Sequence, residues 1–119
     1  MSYVDGYLIP IPKTNVRAYR RMAAMGRKAW MKHGALDYKE CAGDDLAAKW
    51  GTPFTRAMNM KPGETVIFAY IVFKSRAHRD RVNAKVMSEM KAMEASAASK
   101  DMPFDPKRML YGGFKTIVE

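Results

Sequence analysis

From Val66 to Phe73 the chain reads VIFAYIVF, eight apolar residues in a row, bounded by Gly63-Glu64-Thr65 and Lys74-Ser75-Arg76. The run is too short for an ordinary buried helix, and its Val, Ile, Phe and Tyr content suits a strand. A strand that is apolar on both faces needs cover on both. Tyr3 to Ile11 (YVDGYLIPI) predicts another strand, with Pro10 and Pro12 limiting its ladder bonds near the exit. Ala35 to Ala42 (ALDYKECA) alternates less cleanly and carries Asp37, Lys39 and Glu40, which suits an edge position. Met109 to Val118 (MLYGGFKTIV) predicts the last strand, in which Gly112-Gly113 marks a bulge or a close backbone approach.

Helical periodicity fills the intervals. After Thr14 or Asn15, either of which suits an N-cap, Val16, Tyr19, Ala23, Gly26 and Trp30 recur at three- and four-residue steps. Arg17, Arg20, Arg21, Arg27 and Lys28 fill the opposite arc, and His33-Gly34 ends the helix because glycine takes the left-handed conformation of a C-cap. Ser75 can cap a second helix with the stripe Val82, Val86, Met90 and Met93, and His78 lies one turn before that stripe. Residues 43–64 form a long connection with one expected helical turn around Thr55 to Asn59, and Pro103-Phe104-Asp105-Pro106 predicts a structured loop.

The order strand, helix, strand, strand, helix, strand predicts the α+β class and a single domain over residues 1–119. Its arrangement is a ferredoxin-like βαββαβ protomer with an antiparallel four-stranded sheet. Right-handed crossovers put the first and third strands in the centre and the polar second strand at an edge. Two helices cover one face of such a sheet. Little chain remains for the other, so the expectation is a homodimer in which a second copy supplies the cover.

Composition changes this picture at few points. The 119 residues suffice for one core that buries roughly two thirds of the surface of the unfolded chain. No apolar run reaches the roughly 18 residues of a membrane span, and the start lacks a signal-peptide pattern, so a cytoplasmic protein without membrane attachment is expected. Cys41 is the only cysteine, which excludes an intrachain disulfide and a thiolate zinc cluster built from one chain. The net charge of +9 favours acidic partners, and six positive charges with no acidic residue fall between Asn15 and Lys32. A nucleic-acid-associated basic protein is therefore one alternative reading. Against it, the basic helix face lacks aromatic stacking platforms, and charge runs commonly serve solubility.

Four segments together, YVDGYLIPIPK, KHGALDYKECAGDD, ETVIFAYIVFKSRAHRDRVNAKVM and MPFDPKRMLYGGFK, resemble the small bacterial YbaA-like family of unknown function, over nearly the whole chain. The resemblance implies the dimeric α+β barrel superfamily, in which the open sheet face of a ferredoxin-like protomer packs against its twin. It implies no activity. Members of that superfamily include monooxygenases, haem-dependent enzymes and lactone isomerases, so fold alone is a weak guide to chemistry.

Candidate chemistry gathers around the second strand, in His33, Tyr38, Glu40, Cys41, Asp44 and Asp45. Strand alternation puts Leu36, Tyr38 and Glu40 on one face and Asp37, Lys39 and Cys41 on the other. If Glu40 points between sheet and helices or between subunits, desolvation raises its pKa and makes it a general base, with His33 and Tyr38 positioning a ligand. The plainer reading is a rim carboxylate paired with a Lys or Arg. Tyr7, Trp30, Tyr38 and Cys41 are the candidate ligand-binding residues, although core packing accounts for the aromatic ones equally well. The spacing from His33 to Glu40 matches no compact metal motif and Gly112-Gly113 is no phosphate loop, so neither metal nor cofactor is expected. The sequence thus points to a small-molecule pocket near the second strand, with catalysis left open. A non-catalytic interaction module is the other alternative.

Overall fold

The computed structural model describes residues 1–47, 49–96 and 102–119. Strands β1 (Tyr3–Pro12) and β3 (Glu64–Phe73) pair antiparallel over their full length, from Tyr3 opposite Phe73 to Pro12 opposite Glu64. Strand β2 (Asp37–Ala42) adds to the outer edge of β3 and β4 (Leu110–Lys115) to the outer edge of β1, giving the order β2-β3-β1-β4. Each β-α-β unit thus leaves a gap that a strand of the other unit fills, which is the ferredoxin-like βαββαβ arrangement.

Helix α1 (Val16–Lys32) follows β1 after a 3₁₀ turn at Lys13–Asn15 and buries Tyr19, Ala23, Gly26 and Trp30. Asn15 does not cap it with its side chain. The amide Nδ2 donates instead to the Pro103 carbonyl at 2.8 Å and ties the helix entry to the loop before β4. At the far end Gly34 adopts φ +114°, its N–H bonds to the Met31 carbonyl, and the Ala35 N–H bonds to the Trp30 carbonyl. This is a Schellman termination. It also explains why β2 begins at Asp37 and not at Ala35, since the Ala35 N–H is spent on the helix.

Helix α2 (Phe54–Ala57) lies in the long connection, and α3 (Arg76–Ser96) follows β3. Ser75 Oγ accepts from the His78 N–H at 3.1 Å, while His78 Nδ1 accepts from the Lys74 N–H at 3.0 Å. Ser75 thus caps the helix, and the histidine ring reaches back one residue further, to the Lys74 N–H, where a capping box would have Glu or Gln bond the N–H of the cap itself. Burial, then Lys74, Arg81 and Lys85, lower the His78 pKa, in keeping with the acceptor role of Nδ1. Val82 and Val86 are buried beneath α3; the side chain of Met93 and residues 97–101 lie outside the described residues. In β4 the register runs unbroken through Gly112 opposite Gly6 and Gly113 opposite Asp5, so there is no bulge. The glycine serves a close approach, because a Cβ at Gly113 would collide with the Tyr3 hydroxyl and lie 2.9 Å from Arg79 Nη1.

Between sheet and helices sits a polar network that hydropathy did not reveal. Asp5, fully buried in central β1, accepts from Arg79 Nη1 at 2.7 Å and from Asn83 Nδ2 at 3.3 Å. Asn83 Oδ1 in turn accepts from Trp30 Nε1 at 2.9 Å, and Arg79 also reaches the Tyr111 hydroxyl at 3.1 Å. One carboxylate thereby links β1, α3, α1 and β4. At the opposite end, Arg108 grips Glu64 with both terminal nitrogens, at 2.6 and 2.9 Å.

The helices cover one sheet face only. On β3 the residues Thr65, Ile67, Ala69, Ile71 and Phe73 are buried beneath them, whereas Phe68 on the other face is 49 % exposed. On that other face the chain itself covers only one end, where Pro10 and Val66 are buried, and not the surface around Phe68. No described helix is long and apolar enough to cross a membrane.

Two outcomes follow. Asp5→Ala removes one of the two carboxylates that the largely buried Arg79 holds, leaving Asp80, deprives Asn83 Nδ2 of its acceptor, and lowers the unfolding free energy by roughly 1–3 kcal/mol in urea titrations; a loss below about 0.5 kcal/mol would show that the network carries no such constraint. The Arg108 guanidinium and the Lys61 N–H hold the Glu64 carboxyl at about 2, down from 4.5. A carboxylate depressed in the folded state contributes stability above pH 4.5 that is lost as the pH falls towards 2. Arg108→Ala flattens the stability-pH curve across that window, as chemical denaturation at a series of pH values will register.

Candidate functional site

The helix-facing side of β2 presents Tyr38, Glu40 and Ala42, set by the two-residue alternation of the strand, beneath the flank of α1. Tyr19, on the buried stripe of α1, donates its hydroxyl to Glu40 Oε1 at 2.5 Å, and Tyr38 donates to Glu40 Oε2 at 2.6 Å. The Tyr38 hydroxyl fits because position 26 of α1 lacks a side chain: a Cβ there would lie 3.1 Å from it. A glycine inside a helix costs about 1 kcal/mol relative to alanine, so packing against Tyr38 is what this one gains.

These groups line a cleft of about 310 Å³ between α1 and β2. Val16, Ala23, Ala24 and Ile67 supply its apolar walls, and the Arg20 and Arg27 side chains flank it. The two arginines stand seven residues apart, roughly 10 Å along the helix axis. Among the described residues neither forms an ion pair, although Arg27 is close enough to help lower the Asp37 pKa, after Lys39 and the Tyr38 N–H.

Burial, and then the bond to Glu40, push the Tyr19 and Tyr38 hydroxyls far above the usual tyrosine range. Both stay protonated and act as donors. Glu40 thus points between sheet and helix, the first of the two placements that the sequence allowed, and among the described residues it has no Lys or Arg ion-pair partner. It is half-buried, with each oxygen oriented by one hydroxyl and each retaining acceptor capacity towards the cleft.

The other residues singled out from sequence disperse. Trp30 packs 6.0 Å from Tyr38 as core, its N–H committed to Asn83. Tyr7 stacks 4.9 Å from Tyr111 within the sheet-helix layer, and burial, then Asp5, Tyr111 and Glu40, raise its pKa. His33 caps the end of α1 and meets Glu89 Oε2 at 3.3 Å, beside a shallow depression between α1 and α3 rather than in the cleft. Cys41 is exposed on the opposite sheet face, paired with Phe68, and does not share the site. Asp44 and Asp45 are exposed beyond the strand. No three described His, Cys, Asp or Glu side chains converge as a metal site.

The residues that sequence reasoning missed are Tyr19 as Glu40's partner and Arg20 and Arg27 as cleft walls. A signal existed for the arginines, since Val16, Arg20 and Ala24 lie on one i+4 ridge and Ala23 and Arg27 on the next.

Tyr19→Phe and Tyr38→Phe each remove a hydrogen bond to a charged group and lower the unfolding free energy by roughly 1–3 kcal/mol. In ultraviolet titration the phenols of Tyr7, Tyr19 and Tyr38 remain neutral near pH 11, where free tyrosine is mostly ionised. A folded-state pKa raised in this way contributes stability that is lost as the pH climbs past 10, so these tyrosines ionise together with alkaline unfolding. Ionisation of all six tyrosines in a still-folded protein would contradict the burial of the pair on Glu40.

Residues 2–106 match the family described as protein of unknown function (DUF1428). The uncharacterized protein YbaA of Escherichia coli strain K12 is 38 % identical over 119 residues, covering 100 % of this chain and 99 % of the relative, and that of Shigella flexneri matches equally. Among solved structures, the de novo designed protein Foldit4 aligns over 98 % of this chain and 99 % of its own, with a TM-score of 0.47 and 8 % identity. The chain belongs to the DUF1428 family, whose function is unknown.

Proposed function

We propose that the protein is a homodimer that binds a small polar molecule in the cleft between α1 and β2, with Glu40 as the group that orients the ligand and accepts its proton or hydrogen bond. The observation that carries this reading is the pair of tyrosine hydroxyls fixing both Glu40 oxygens at the wall of an otherwise apolar, arginine-flanked cavity. A carboxylate held in one orientation with unused acceptor capacity is a preorganised binding group.

The dimer is supported by the part of the other sheet face that the chain leaves open. There Phe114, Val4 and Val72 lie in one cross-strand row and Leu110, Leu8 and Phe68 in another. Phe68, Leu110 and Phe114 are 49 %, 54 % and 60 % exposed, a contiguous apolar patch of the kind that marks an interface. The shortest dimension, 20 Å, is that of one sheet and one helix layer, so a second copy laid sheet to sheet would complete the core in two-fold symmetry.

Native mass spectrometry of gently purified protein tests both parts. The expected spectrum is a dimer carrying a discrete extra mass that Glu40→Gln loses while remaining dimeric, and Phe68→Asp shifts the population to monomer. A bare dimer that binds no small polar compound at the cleft would leave the interaction-module reading in its place, and a monomeric wild type would remove the dimer.

A further inference from the structure

The cleft's charges narrow the class of molecule it accepts, provided that it is a ligand site as proposed above. We infer that the ligand is a small hydroxy- or amino-carboxylate: an organic anion whose carboxylate pairs with Arg20 or Arg27 and whose neighbouring hydroxyl or ammonium donates to Glu40.

Two guanidinium groups and one carboxylate line the cleft, so its local balance is cationic and favours an anion. Guanidinium groups match carboxylates with parallel N–H bonds, and among the described residues these two have no ion-pair partner. Glu40 adds the opposite requirement. An ionised carboxylate only accepts, and its two hydroxyl donors already come from the protein. A ligand atom turned towards it must therefore carry a hydrogen, and a second carboxylate in that position would meet like charge. The ligand must present donor and anion together.

Size and walls agree. About 310 Å³ is the lower end of the small-molecule range of roughly 300–1,000 Å³, and Val16, Ala23 and Ala24 offer an aliphatic surface. A nucleotide would want a glycine-rich phosphate cradle, and no glycine lines this cleft. A polyanion lying along the outer arginines of α1 would gain nothing from Glu40, which repels phosphate.

The test uses the full-length protein and ¹H–¹⁵N spectra that follow the amides of Ala23, Ala24 and Ala42, with L-malate, L-lactate and L-glutamate as probes and succinate as the analogue of malate without its hydroxyl. At least one probe shifts these amides saturably. Malate binds at least about tenfold more tightly than succinate, the equivalent of one charged hydrogen bond at about 1.4 kcal/mol. Glu40→Gln brings malate down to the level of succinate, and Arg20→Ala, a change at an exposed helix position, weakens both. Equal affinity for malate and succinate, or discrimination that survives in Glu40→Gln, overturns the inference. If the three acids leave the cleft amides unmoved while neutral erythritol or cationic putrescine shifts them, the cleft remains a ligand site and the anionic class is wrong. Shifts with a short oligonucleotide alone reassign the arginines to nucleic acid, and no shift with any of these compounds defeats both this inference and the reading on which it rests.

Discussion

Asp5 is the point at which the layers of this fold are locked to one another. A carboxylate with no solvent exposure in a central strand is tolerable only if both oxygens are answered, and Arg79 and Asn83 of α3 answer them. Such a pair adds little net stability compared with an apolar substitute, but it permits few alternatives in geometry. Arg79 must stand above residue 5, its guanidinium lies 4.9 Å from the Tyr3 ring, and Gly113 must be bare to admit it. The position of α3 on the sheet is set by chemistry as much as by the apolar contacts of Val82 and Val86. Through Asn83 and the Trp30 indole the same network reaches α1, so the helix that walls the cleft is held from behind.

The two carboxylates on the helix-facing side, Asp5 and Glu40, are treated in opposite ways. Asp5 is neutralised by a cation and sealed. Glu40 receives hydroxyl bonds only, is half-buried, and faces arginines that flank the cleft without bonding to it. In the first case Coulomb attraction offsets desolvation within the protein; in the second the compensation is partial and the cleft stays open to a further partner. That difference separates a carboxylate sealed into the fold from one that still has acceptor capacity at a cleft.

Much of the architecture was legible because it follows from local pattern. The strand at Val66–Phe73, the glycine stop at Gly34, the Ser75 cap and the central placement of β1 and β3 all rest on periodicity or on backbone preferences that a residue carries with it. What could not be read were side-chain commitments across the fold. Asn15 looks like a cap in sequence, yet its amide is drawn off by a carbonyl 88 residues away. Tyr19 was visible as a member of an apolar stripe, but its phenol has two natures, and only the proximity of β2 reveals which the hydroxyl serves. Arg20 and Arg27 belong with Arg17, Arg21 and Lys28 by charge and with Val16, Ala23 and Ala24 by geometry. His33 and Cys41 were grouped with Glu40 by closeness in sequence, whereas a helix terminus and a strand's alternation carry them to different places.

The bare position at residue 26 gives the cleft an uneven tolerance to change. Any side chain there meets the Tyr38 hydroxyl and, through it, Glu40, so variation at this position is felt by that carboxylate. Ala24, two residues before it, lines the cavity at an exposed position where size can vary, whereas Ala23 is buried in one cluster with Tyr19. The helix thus separates the residue that guards the orientation of Glu40 from the one that sets the volume beside it.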